Sequence, residues 1–186
     1  MPSPPPSNAI HVFHGHILDF WQWEQPQFDG SIETFECVTR PDTVTVLGFL
    51  DRETILLTKQ EQPSKPIPFF DFPGRRVDKG ENQVKAAQRE LLEETGYAAA
   101  EWYEWHRIPQ IGIIRLEEVF YLAKGLQKIT KPHLDQGERI ETMEISWKDL
   151  VKMCLKRQLR QPNIMLAVLQ MEFDPDNQKR LMDWLG

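Results

Sequence analysis

The segment Pro73–Tyr97, PGRRVDKGENQVKAAQRELLEETGY, constrains this chain more than any other. A loop dense in turn residues feeds a helix whose last turn carries Glu90, Glu93 and Glu94. Spacings of three and four residues bring these carboxylates onto one helical face. Each like-charged pair costs an isolated helix roughly 0.2–0.5 kcal/mol, and Gly96 reads as the C-terminal cap. The end of a helix bears the negative pole of its dipole and favours Lys or Arg. Two local electrostatic effects therefore oppose the arrangement unless a cation offsets them. A hard divalent ion with oxygen ligands, Mg²⁺ or Mn²⁺, suits the three acids. A solvated acidic face is the competing reading of an E-x-x-E-E run taken alone.

The spacing extends beyond the three acids. Glu81, seven further residues, then Arg89-Glu90-Leu91-Leu92-Glu93-Glu94-Thr95-Gly96-Tyr97 reproduces the pattern E-x7-R-E-U-x-E-E-x-G-U, with U apolar. On these residues the chain resembles the Nudix hydrolases. The resemblance implies an α+β fold, an α/β/α sandwich on a mixed sheet. It implies that Glu90, Glu93 and Glu94, with the main-chain carbonyl of Gly74, hold the metal, and that Glu93 and Glu94 are catalytic. Glu81 and Arg89 would be a supporting ion pair that ties loop to helix, a direct metal role for Glu81 being the lesser alternative. The family's first box glycine is replaced by Arg75. Glycine in such a loop supplies positive φ or close backbone approach, and Arg bears a steric cost for either. Arg75 is thus either a lesion or a guanidinium lent to a substrate phosphate, with Arg40 and Arg76 as further substrate-binding candidates.

A chain of 186 residues is long enough for one domain with a sizeable core. We expect a disordered, proline-stiffened tail over residues 1–9 and a single domain over 10–186, divided into an N-terminal antiparallel β meander (10–40) and a core (41–186). The opening MPSPPPSN has neither a basic region nor an apolar stretch, so a secretory leader is not expected. No apolar run is long enough to span a membrane. Cys37 and Cys154 are too few for a disulfide framework and suit a reducing, cytoplasmic setting. A net charge of −6 speaks against a general nucleic-acid binder. It leaves room for an anionic small molecule, because a metal and Arg75, Arg76 and Lys79 can make one pocket positive.

Along the chain, His11–Phe13, Ile17–Phe20 and Ile32–Val38 read as strands. His11, His14 and His16 lack a Cys or further His to complete a ligand set, and exposed strand histidines are the preferred reading. Trp21 and Trp23 alternate and serve either as core or contact aromatics or as a base-stacking surface. Val44–Leu50 and Thr54–Thr58 form a hairpin around Asp51-Arg52-Glu53, similar to the central hairpin of the ADP-ribose pyrophosphatase branch. Where that branch carries Gln-aromatic-Arg, this chain has Gln60-Glu61-Gln62, and neutral Gln62 cannot contribute a charge to a diphosphate. Pro63 to Pro68 reads as a connection, and Ile111–Leu122 as two strands broken near Arg115. Trp102, Tyr103, Trp105 and His106 are read as core before base-stacking. The loop HLDQGERIE offers Glu138 as an additional catalytic carboxylate by resemblance, or as an exposed loop acid. Ser146 caps a helix running through Arg157, two helices follow, and Lys156, Arg157 and Arg160 read as a cluster complementing a helix C-terminus.

The resemblance implies a metal-dependent hydrolase of the diphosphate linkage in ADP-ribose or another nucleotide sugar, giving a nucleoside monophosphate and a sugar phosphate. It also implies a homodimer built by the meander. Two alternatives stay open: hydrolysis of another nucleotide, such as a modified triphosphate or a dinucleoside polyphosphate, and a nucleotide-binding protein impaired by Arg75 and Gln62.

Overall fold

The computed structural model describes residues 5–63 and 65–186. Three antiparallel strands, β1 (Ile10–His14), β2 (Asp19–Pro26) and β3 (Ile32–Thr39), make the expected meander. Residues 1–4 of the expected tail lie outside the described residues; in its remainder the Ala9 amide donates to the Pro6 carbonyl at 2.8 Å. The hairpin of β4 (Thr43–Phe49) and β5 (Thr54–Gln62) turns where the Asp51 carboxylate accepts from the amides of Glu53 and Thr54.

The connection read from Pro63 to Pro68 is instead mostly strand. β6 (Lys65–Asp71) runs back along β5, pairing Thr58 with Asp71 and Gln62 with Lys65. Proline deters a central strand because it cannot donate to a ladder, but β6 has a single strand neighbour and tolerates it. Next come α1 (Gln83–Thr95), β7 (Tyr97–Ala98), β8 (Glu101–Ile111), β9 (Ile114–Lys124), β10 (Gln127–Lys128) and β11 (Arg139–Ser146). α2 (Trp147–Leu155), α3 (Pro162–Phe173) and α4 (Pro175–Leu185) close the chain. The turn between β8 and β9 falls at Gly112-Ile113, ahead of the expected break near Arg115.

The sheet order is β1-β2-β3-β9-β4-β5-β11, with β6 beside β5 and β8 beside β9. It is mixed, since β9 runs parallel to both β3 and β4. Because strand side chains alternate between faces, β4 and β5 divide their apolar residues between two cores. Val44, Val46 and Leu56 meet Ala86, Ala87 and Leu91 of α1 on one face. Leu47, Phe49, Ile55 and Leu57 meet α2, α3 and α4 on the other. Full burial of a side chain such as Leu91 contributes about 1.5–3 kcal/mol, and this face fixes the rotation of α1. Among the described residues, no helix is long and apolar enough to cross a membrane.

Candidate active site

The loop before α1 lies against β4 as though it were another strand. Val44 and Val46 donate their amides to the carbonyls of Arg75 and Pro73, both at 2.8 Å, and Val77 donates to the Asp42 carbonyl at 2.7 Å. Gly74 sits between these bonds at φ 146°, where a Cβ would lie 2.2 Å from the Val44 carbonyl oxygen. Only glycine fits so close an approach. Its amide donates to Glu94 Oε2 at 3.3 Å. The steric cost anticipated for Arg75 does not arise, because Arg157 is the one described non-glycine residue with positive φ. The demand for glycine falls on Gly74, one residue earlier.

α1 begins at Asn82, whose side chain accepts from the amides of Val84 and Lys85, and ends at Gly96 in the left-handed conformation. Within it, Arg89 is held by Glu81 through two bonds, Nε to Oε1 at 3.0 Å and Nη2 to Oε2 at 2.9 Å. Its Nη1 also reaches Glu90 at 2.6 Å and Glu93 at 3.1 Å. The Arg89 hydrogen bond holds the Glu81 carboxyl below its usual range. Burial pushes Glu90 up to about 6 despite the Arg89 charge. Burial, then the nearby Glu90 charge, raises Glu94 well above the ordinary carboxylate value, and the Gly74 amide only partly opposes this.

The chain beyond β10 wraps the C-terminal end of α1. Ile129 and Thr130 donate to the Gly96 carbonyl, and His133 donates to that of Glu93 at 2.7 Å. This path carries Asp135 and Glu138 to Arg75, whose Nη1 lies 2.5 Å from Asp135 and 3.0 Å from Glu138. Glu138 is therefore a largely buried, ion-paired acid and not an exposed loop residue.

A cavity of about 470 Å³ opens between these elements. Gly74, Glu94 and Glu138 line it, with Arg40, Arg75 and Arg76. Glu90 and Glu93 are not among its lining residues; with Glu81 they are gathered on Arg89.

The NUDIX domain model matches residues 39–166, more than half of the chain. The chain belongs to the NUDIX family. An ADP-ribose pyrophosphatase from Bacillus subtilis (strain 168) is 28% identical over 154 residues, covering 80% of this chain and 81% of that protein. A methanol dehydrogenase activator from Bacillus methanolicus is 24% identical over 160 residues, covering 84% and 86%. A crystal structure of an ADP compounds hydrolase superposes with a TM-score of 0.76 at 16% identity, covering 94% and 95%, and so shares the fold.

As a Nudix hydrolase the chain presents donors that fit a divalent cation. Glu94 is 4% exposed and faces further negative charge from Glu90, Glu138 and Asp71, a concentration of carboxylate oxygens that hard cations neutralise.

Reading the sequence alone misses the far wall of the cavity. Arg160, which by position groups with a helix C-terminus, lines the cavity together with Gln161 and Glu118. Its amide donates to the Phe70 carbonyl at 3.0 Å and its Nε lies 2.6 Å from buried Asp71. No local pattern reveals this, because the two residues meet only when the segment before α3 is laid against β6.

The aromatic candidates lie elsewhere. Trp102 packs edge-on to Tyr121 and donates to the Ala99 carbonyl. Tyr103, Trp105 and His106 border a separate hollow with Trp184. Trp23 packs beside Phe35 and beneath the Arg115 guanidinium, and Trp21 donates to Thr39. His11 and His14 both meet Asp19 Oδ1, at 2.9 and 2.5 Å, while His16 does not join them.

Proposed function

We propose that this protein is a metal-dependent diphosphatase. Its substrate is a nucleoside diphosphate joined to a second group, ADP-ribose or a related nucleotide sugar, and its metal is Mg²⁺ or Mn²⁺. The observation that carries this reading is the meeting of a buried Glu94 with the Gly74 loop at one side of a cavity whose other sides present Arg40, Arg75, Arg76 and Arg160. Acids on one side can hold cations, and guanidiniums on the others can hold the phosphates. The aligned relative named as an ADP-ribose pyrophosphatase, which matches four-fifths of each chain, supports the choice of substrate.

In this reading Glu90, Glu93, Glu94 and the Gly74 carbonyl hold the metal. When bound, the ion neutralises phosphate oxygens and lowers the pKa of a water. Arg75, Arg76 and Arg40 fix the diphosphate, with Arg75 also orienting Glu138 through its 3.0 Å contact. Glu138 takes the proton of the attacking water, with Glu93 and Glu94 as the other catalytic acids. Glu81 clamps Arg89, which keeps Glu90 and Glu93 in position. Attack by water on one phosphorus of ADP-ribose releases AMP and ribose 5-phosphate, and positioning and electrostatics supply most of the rate.

We read residues 10–186 as one functional domain and the protein as a homodimer joined through its meander, where Ile10, Phe13, Ile32 and Phe35 are exposed. The buried free thiols of Cys37 and Cys154 suit the cytoplasm.

The neutral residue at Gln62 and the engagement of Arg75 by two acids favour a second reading, a nucleotide-binding protein of impaired turnover. One experiment separates the two: hydrolysis of ADP-ribose, nucleotide sugars, dinucleoside polyphosphates and nucleoside triphosphates with Mg²⁺ or Mn²⁺, by the native chain, Glu94→Gln and Arg75→Gly. Selective turnover of ADP-ribose or a nucleotide sugar, lost in Glu94→Gln, is expected. A native chain inert toward the whole panel, with turnover gained in Arg75→Gly, would hand the case to the binding protein.

A further inference from the structure

The proposed reaction needs positive charge for both phosphates of the substrate, yet position 62 holds a neutral glutamine. The hairpin of β5 and β6 places a cation opposite it: Lys65 is the cross-strand partner of Gln62. Lys65 is half-buried and has no ion-pair partner among the described residues. Its Nζ lies 4.2 Å from the centroid of the Phe69 ring, and the Arg160 guanidinium lies 5.0 Å from the same centroid.

Arg160 is held rigidly in that position. Its Nε is bound to the Asp71 carboxylate, which also accepts from the Gln161 side chain at 3.1 and 3.3 Å and from the Phe72 amide at 2.9 Å. Asp71 is fully buried, while the Arg160 side chain is 38% exposed and faces the cavity. It is the sole ion-pair partner of Arg160 among the described residues. Two cations thus stand at one ring, and only Arg160 is paired with the Asp71 carboxylate. Burial and then the Arg160 charge lower the proton affinity of Lys65, so an anion placed between them would relieve both.

Arg160 lines the cavity that holds Glu94, and Lys65 lines an adjoining hollow of about 460 Å³. Gln62 and Glu138 border both, so the two spaces meet at those residues.

We infer that Lys65 and Arg160, standing over the Phe69 ring, form an anion subsite that takes the substrate's second phosphate in place of the charge absent at Gln62. The inference rests on the diphosphatase reading and adds to it a demand on the substrate: a second phosphate must follow the one served by the carboxylates. A nucleoside monophosphate cannot satisfy both positions, whereas a diphosphate bridging two groups can.

The test is calorimetric binding of ADP-ribose and of AMP in EDTA, alongside steady-state hydrolysis of ADP-ribose with Mg²⁺. The proteins are the native chain, Lys65→Ala, Arg160→Ala and Arg160→Ala with Gln62→Arg. Lys65→Ala leaves the Asp71 pair intact and serves if Arg160→Ala unfolds. Loss of one charge-assisted contact weakens ADP-ribose binding about tenfold or more and raises KM similarly. AMP binding changes little, and Gln62→Arg restores ADP-ribose affinity in the Arg160→Ala background. A purely structural role for Arg160 would not be rescued from position 62. No ADP-ribose binding by the native chain, affinities within about twofold in both single variants, or equal losses for AMP would overturn the subsite. Failure of the diphosphatase reading shows separately, as absent hydrolysis with binding differences still measurable in EDTA.

Discussion

Replacing Gly74 with alanine should damage stability and the site together, by an amount the geometry sets. The residue adopts φ 146°, and an added Cβ would stand 2.2 Å from the Val44 carbonyl oxygen and 2.8 Å from the Thr45 Cα. Neither contact is the end of a flexible side chain, so the loop must leave β4. Holding the non-glycine backbone in this region costs about 1–3 kcal/mol. Withdrawal also endangers the Val44 to Arg75 and Val46 to Pro73 hydrogen bonds, each contributing about 0.5–1.5 kcal/mol. Together the loss is about 2–6 kcal/mol, a large part of the stability of an ordinary domain. Urea unfolding followed by tryptophan fluorescence measures it. Gly80→Ala is the control, because Gly80 also has positive φ, at 82°, but nothing lies within 4 Å of its Cβ position, leaving a strain of only about 1–2 kcal/mol. A Gly74→Ala protein within about 1 kcal/mol of the native chain, or no worse than Gly80→Ala, would refute the reasoning.

Glu94→Gln should abolish metal-dependent hydrolysis while leaving thermal stability equal or slightly higher, because a neutral amide escapes the desolvation that raises the carboxyl. In the native chain, saturating Mg²⁺ at about 100 times its Kd should add about 2.7 kcal/mol, an increment read by thermal melts with and without EDTA and absent from the variant. Glu81 has a folded pKa below its ordinary 4.5, so its contribution is present above that value and fades as pH falls through the lower one. Glu81→Gln should therefore cost up to about 1 kcal/mol at pH 7 and flatten the stability curve below pH 4.5; an unchanged acid limb in urea titrations would count against the Arg89 clamp. Burial pushes the Cys154 thiol up to about 12 and also raises Cys37, so neither should react with a disulfide reagent at about pH 8 until urea is added; prompt labelling of the native chain would contradict their burial.

Much of the fold is legible in the sequence because its signals are local. Gly96 ends α1 and Ser146 starts α2 by accepting from the Asp149 amide, as their sequence context indicates, and Asn82 caps the start of α1. The apolar, β-branched run of Val44–Phe49 foretells a strand buried on both faces. Lys65–Asp71 is the exception: its prolines signal a loop, a rule that fails where a strand needs hydrogen bonds on one side only.

The sequence by itself determined the acids of the box and their common helical face, while the Glu81–Arg89 pair and the place of Gly74 were implied by the family resemblance. Helical periodicity and side-chain charge are properties of neighbouring residues and need no distant partner. Tertiary structure alone decided what the box confronts. It turned Glu94 toward the Gly74 amide, brought Arg75 to Glu138 across an interval of sixty-odd residues, and carried Arg160 to Asp71 across nearly ninety. It also transferred the burden of positive φ from Arg75 to Gly74. Such pairings depend on which strands lie side by side: β5 pairs with β11, some eighty residues further along the chain, and no local pattern in either strand encodes that register.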